Sequence, residues 1–145
     1  MLKKVIISAC LLGECCRYDG KTKKVGSVVD AFSGWEIIPF CPEAPLFGTP
    51  RERISVIEKD TKRYIITDES NKDVTALLEK EILSFIQKNV SVDAIILKSK
   101  SPSCGNKTTP ILNTKKEKIK LGNGIAVDIF QEHYKNIKIQ DENSF

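Results

Sequence analysis

Lys3-Lys4-Val5-Ile6-Ile7-Ser8-Ala9 is the run that decides the fold. Its centre is continuously apolar and rich in β-branched residues, with no polar residue at alternate positions. A strand with one wet face alternates; this one does not, so it reads as a strand buried on both faces, the pattern of a parallel sheet. Two later runs have the same character. One is Trp35 to Phe40, with Pro39 near its end where a missing donor is tolerable; the other is Asp93 to Leu97. Helical stretches separate them. Val25 to Phe32 stops before Gly34, and Val74 to Asn89 places Val74, Leu77, Leu78, Ile82, Phe85 and Ile86 on one stripe. Ile125 to Tyr134 reads as a further helix and Ile137 to Ile139 as a short last strand. Strands alternating with helices predict one α/β domain over residues 1–140, a mainly parallel sheet flanked by helices in a Rossmann-like sandwich. Ile54 to Ile57 and Arg63 to Thr67 predict an edge hairpin at about 54–67. Asp68 to Asn71 reads as a helix entry, Thr108 to Lys120 as a basic loop, and 141–145 as a frayed polar tail.

The chain has 145 residues, enough for one domain with a real core. Its net charge of +4 suits a small anionic molecule and is too mild to argue for nucleic acid. No apolar run approaches the ~20 residues that span a membrane, and the basic start Met1 to Lys4 precedes too short an apolar stretch for a signal peptide. The chain therefore reads as cytoplasmic, with no membrane contact. Five cysteines, an odd number without a secretion signal, argue against a disulfide scaffold. Metal ligands, a nucleophile or buried packing residues remain.

Three of those cysteines occupy equivalent places. Cys10 follows the first strand, Cys41 the second, and Cys104 sits in the loop Lys98 to Gly105 after the third. If the strands are parallel neighbours, the thiols share the carboxyl-end rim, where such sheets bind ligands. Three readings stay open: buried thiols packed as small hydrophobes, a structural zinc site, which takes four ligands, and a 4Fe–4S cluster, which three thiolates leave with one open iron. Cys15 and Cys16 lie several residues beyond the strand end and read as plain loop residues, with a secondary ligand or a redox-exposed pair as the alternatives. Glu43 stands two residues after Cys41 and in extended chain faces the same side. Ser101 and Ser103 flank Pro102 beside Cys104, suited to donating to a substrate atom or moving a proton. Arg17, Arg51 and Arg53 occupy loops after the first two strands and suit a phosphate or carboxylate, with Lys98 and Lys100 adding charge. Gly122 and Gly124 precede a helix whose N-terminus suits an anion. The sole histidine, His133, lies late on a helix, so a histidine triad has no support.

Ser8-Ala9-Cys10-Leu11-Leu12-Gly13 with Cys16-Arg17-Tyr18-Asp19-Gly20, then Cys41-Pro42-Glu43 with Thr49-Pro50-Arg51, then Ser101-Pro102-Ser103-Cys104-Gly105, stand in one order. Together they resemble a bacterial and archaeal domain-of-unknown-function family that includes the thiouracil desulfidases. The resemblance runs from about Lys3 to Phe130. It implies a 4Fe–4S cluster on Cys10, Cys41 and Cys104, with an open iron that takes the sulfur of a thiocarbonyl. It implies a non-redox, hydrolytic removal of sulfur as sulfide from thiouracil or a 4-thiouridine nucleotide. Glu43 and Ser101 take the places of the family's catalytic residues; Arg17, Arg51 and Ser103 are expected to contact substrate. The competing expectation is a non-catalytic metal- or sulfide-binding module built on the same thiols. Ala44-Pro45-Leu46-Phe47-Gly48 replaces the double-glycine segment of the family, a change that falls in a substrate loop.

Overall fold

The opening apolar run is the second strand of a parallel sheet in the computed structural model, which describes residues 2–145. In chain order the elements are β1 (Lys4–Ser8), α1 (Gly26–Ala31), β2 (Glu36–Phe40), the short α2 (Ala44–Phe47), β3 (Ile54–Lys59), β4 (Lys62–Thr67), α3 (Thr75–Lys88), β5 (Ala94–Ile96), β6 (Thr109–Leu112), β7 (Lys118–Gly122), α4 (Ile125–His133) and β8 (Ile139–Gln140). One sheet has the order β2-β1-β5-β8, with every neighbouring pair parallel. β1 is paired on both edges and covered on both faces, which is why Val5, Ile6 and Ile7 are fully buried. Ile6 packs with Phe40, Ile82 and Phe130 beneath α3 and α4. Val5 and Ile7 pack on the other face with Val28 and Phe32 of the α1 side. Each such side chain withdrawn from water stabilises the fold by roughly 1.5–3 kcal/mol.

The hairpin at 54–67 forms as expected, with Asp60 and Thr61 both at positive φ (52° and 66°) in its two-residue turn. It does not sit on the edge of the parallel sheet. It opens a second sheet of order β4-β3-β6-β7, in which β3 and β6 run parallel and the other pairs antiparallel. The segment read as a basic loop, 108–120, supplies β6 and most of β7 to that sheet. Thr109 and Ile111 of β6 are buried while Pro110 points out, an alternation that Pro110 and the following lysines disguise. β7 is an exposed edge strand, and its lysines blunt that edge. Asp68 to Asn71 is a turn and not a helix entry: the Glu52 carboxylate accepts from the backbone N–H of Glu69 and of Ser70 and holds the turn closed. The tail is not frayed either; Glu142–Ser144 form a 3-10 turn, and Phe145 packs 5.5 Å from the Phe32 ring. Among the described residues no helix is long and apolar enough to cross a membrane.

Candidate functional site

The parallel sheet places the cysteines. Cys10 lies on the 3-10 turn Ala9–Leu12 directly after β1, Cys41 directly after β2, and Cys104 in the loop after β5. β2, β1 and β5 are adjacent and parallel, so all three leave the sheet at the same rim. They line one cavity of about 560 Å³, together with Glu43, Ser101 and Ser103. Arg17, Arg51, Arg53, Lys98 and Lys100 also border it, and so does Cys16. Most of the sequence-predicted site residues thus face one space; Cys15, Gly122 and Gly124 do not line it. All five thiols are free, and Cys15 is exposed.

The loop that carries Cys104 is held from three directions. Ser8, buried at the end of β1, accepts from the Lys98 N–H at 2.9 Å. The Ser101 hydroxyl oxygen accepts from the N–H groups of Ser103 and Cys104 at 3.2 and 3.1 Å. From below, the first turn of α4 clamps the loop: Ala126 N–H donates to the Ser103 carbonyl and Gly124 N–H to that of Gly105. The N-terminus of α4, which the sequence suggested as an anion site, is thereby spent on the cysteine loop. Gly124 is glycine for space, since a Cβ there would stand 2.5 Å from the Ser103 carbonyl carbon.

Glu43 is buried beside these loops. Its Oε2 accepts from the Ser103 hydroxyl at 2.7 Å, and its Oε1 lies 3.4 Å from Arg51 Nε. The Ser101 and Ser103 hydroxyls are 3.2 Å apart. Ser103 spends its proton on Glu43, so in that pair Ser101 donates. The order is Ser101 to Ser103 to Glu43, a chain through which a proton can pass. Arg51 also donates to the carbonyls of Cys16 (2.8 Å) and Gly48 (3.0 Å), and its side chain is almost fully buried. Its guanidinium is committed to the protein, tying the Cys16 loop to Glu43. Arg17 stands at the mouth, 3.9 Å from Asp19, and Arg53 lies over the Tyr18 ring at 4.8 Å.

The thiols differ in environment. Burial pushes the Cys104 thiol up to about 12. Interaction with Cys10 pushes Cys16 up to about 11, and contact with Cys16 followed by burial raises Cys41. Without a cation such thiols stay protonated; a bound metal reverses this, since a coordinating thiol is deprotonated outright. Among the described residues no three His, Cys, Asp or Glu side chains converge as ligands of a single ion do.

Two partners escaped the sequence reading. Ser8 is one. The other is Glu142 on the last 3-10 turn, which accepts from the Ser99 N–H (2.8 Å) and hydroxyl (2.7 Å) and pairs with Lys98 Nζ at 2.9 Å. Burial acts to raise its carboxyl, but the Ser99 hydrogen bonds and Lys98 outweigh it and hold the group below its ordinary 4.5.

The profile of the 2-thiouracil desulfurase family matches residues 5–142. The chain belongs to this family. Among its relatives is the uncharacterized protein YbbK of Bacillus subtilis (strain 168), 32% identical over 113 residues, which cover 70% of this chain and 73% of that one. Among solved structures, the 4Fe–4S-dependent thiouracil desulfidase TudS (DUF523Vcz) is similar with a TM-score of 0.74 and 30% identity, over 99% of this chain and 93% of that one. The family is one of C–S-cleaving enzymes, and the chain shares the α/β fold of the iron–sulfur-dependent desulfidase.

Proposed function

We propose that the cavity holds a 4Fe–4S cluster on Cys10, Cys41 and Cys104, and that the chain replaces the sulfur of a thiolated pyrimidine by oxygen from water. The substrate is thiouracil or a 4-thiouridine nucleotide, and the setting is the cytoplasm. The donor set fits the group: the cavity is lined by cysteine thiols, without histidine, at the ends of three adjacent strands. A cube binds each thiolate at a separate iron, so its ligands border a space and need not converge on a point. When bound, the cluster supplies a Lewis-acidic open iron that polarises the C–S bond. The observation that carries the reading is the Ser101–Ser103–Glu43 chain in the same cavity as the three thiols.

The reaction is a substitution without electron transfer. The C=S bond is lost, a C=O bond forms, and water and thiocarbonyl give carbonyl and hydrogen sulfide. Glu43 takes a proton from the attacking water. Ser103 and Ser101 return it toward the leaving sulfur or the ring. Arg51 keeps the carboxylate in place. Arg17, at the mouth, meets the polar end of the substrate.

Anaerobic reconstitution with iron and sulfide, followed by metal analysis and sulfide release from 2-thiouracil, tests this. The wild-type chain is expected to take up the cluster and turn over. Glu43→Ala is expected to keep the iron and lose about 10²- to 10⁴-fold in rate, the usual weight of a general acid–base group. A chain that stays iron-free after reconstitution overturns the cluster. A Glu43→Ala variant as active as wild type overturns the catalytic assignment and leaves a binding module on the same thiols.

A further inference from the structure

Ser8 ends β1, an inner strand of the parallel sheet, and is only 2% exposed. Side chains alternate along a strand, so Ser8 shares the face of Ile6 and not that of Val5 and Ile7. The Ile6 face is the one that carries Cys104: Ile6, Phe40, Leu97 and Cys104 belong to one packed group. Phe40, the residue before Cys41, is also the cross-strand partner of Ser8. Ser8 borders the same cavity as Cys10, Cys41 and Cys104. Its oxygen accepts from the Lys98 N–H at 2.9 Å, the only hydrogen bond of this hydroxyl among the described residues. A serine hydroxyl has one proton to donate as well. Here no protein oxygen takes that proton, and a buried donor left without an acceptor is costly. The Ser103 hydroxyl, beside Cys104, differs in this respect, because its proton goes to Glu43.

We infer that Ser8 donates a hydrogen bond to the sulfur of Cys104 once that thiol ligates iron, and thereby tunes the electron density of the metal centre. This rests on the cluster reading given above. No covalent bond is made or broken, and the proton stays on the serine oxygen. A thiolate that accepts a hydrogen bond gives less of its charge to iron. The donor therefore makes the centre easier to reduce and its open iron a stronger Lewis acid toward a thiocarbonyl sulfur. Strand pairing fixes the Ser8 backbone and the Lys98 N–H holds its oxygen, so the donor is in place before the centre assembles.

The test compares anaerobically reconstituted wild type, Ser8→Thr, Ser8→Val, Ser8→Ala and Glu142→Gln. Thr and Val share a β-branched shape and differ in the hydroxyl, so a packing defect strikes both. Glu142→Gln weakens the hold on Lys98 and Ser99 from the other side and leaves the Ser8 hydroxyl in place. The readouts are iron content, the midpoint potential of the cluster, and its Fe–S stretching bands by resonance Raman in H2O and in D2O. Ser8→Ala and Ser8→Val are expected to load iron and to be harder to reduce by about tenfold in the equilibrium constant, ~59 mV for one electron. Both are expected to lose a D2O shift that wild type and Ser8→Thr show. Glu142→Gln is expected to keep that shift and not to become harder to reduce. Equal potentials and equal D2O shifts in wild type, Ser8→Ala and Ser8→Val overturn the inference and leave the cluster reading intact. A fall in potential that Glu142→Gln shares also overturns it, because displacement of the loop then explains the change. Iron-free Ser8→Ala and Ser8→Val beside a loaded Ser8→Thr overturn it as well, since the hydroxyl is then needed to assemble the centre. No iron in any of the five, wild type included, is instead the failure of the cluster reading itself.

Discussion

Ser103 is expected from sequence at the substrate, and the structure turns it inward onto Glu43. It is one of the least exposed polar residues of the chain, and its hydroxyl bonds Glu43 and Ser101. Under the proposed mechanism it connects the residue that takes the proton to the residue that returns it. Removing the hydroxyl deletes one hydrogen bond to a carboxylate, worth about 1.5–3 kcal/mol. Ser103→Ala is therefore expected to lower kcat by about 10- to 100-fold while KM and iron content stay near wild type, as steady-state sulfide-release kinetics can show. An unchanged kcat would mean that Glu43 works without the serines. Arg51 presents the same lesson in another side chain. Sequence places it correctly in the cavity wall, but only three dimensions show its donors committed to Glu43 and two carbonyls.

At the scale of elements, α4 is the support of the cysteine loop. The contact depends on Gly124, whose φ of −68° any residue adopts, so the requirement is space alone. Gly124→Ala places a methyl group 2.7 Å from Cys104 N and 2.5 Å from the Ser103 carbonyl carbon, and something must shift. Overpacking of this kind costs about 1–3 kcal/mol, expected here as a lower melting temperature together with less iron per chain after reconstitution. Gly26→Ala serves as the control, since nothing lies within 4 Å of the point its methyl group would occupy and α1 gains a better helix former. A Gly124→Ala chain that loads iron normally would show that the loop holds its shape without the helix.

Across the whole molecule, the parallel sheet was legible because β1, β2 and β5 are short apolar runs bounded by loops. The helices α3 and α4 were legible from their stripes. The second sheet was half-hidden: β3 and β4 announce a hairpin, but Pro110 and the lysine-rich β7 do not look like strands from one sequence. The thiol rim followed from the sheet, because three cysteines share one position relative to three strands. Ser8 and Glu142 did not follow, since their partners lie 90 and 43 residues away. Glu142 also gives the molecule an acid dependence. Its carboxyl ionises more readily folded than unfolded, so its contribution is present above the ordinary 4.5 and is lost as the pH falls through the lowered folded value. Glu142→Gln is expected to be less stable by about 1–3 kcal/mol near neutral pH and to converge with wild type in acid, as denaturant unfolding across pH can measure. A constant gap at every pH would assign the effect to packing. The sheet that fixes the cysteines has a consequence for descent as well. Sulfurs are set by strand pairing, whereas part of the cavity wall comes from loop residues such as Arg17, Tyr18, Arg51 and Arg53. Those loops are free to diverge, and with them the compound that the proposed metal centre would meet, while the thiol rim beneath stays where strand pairing sets it.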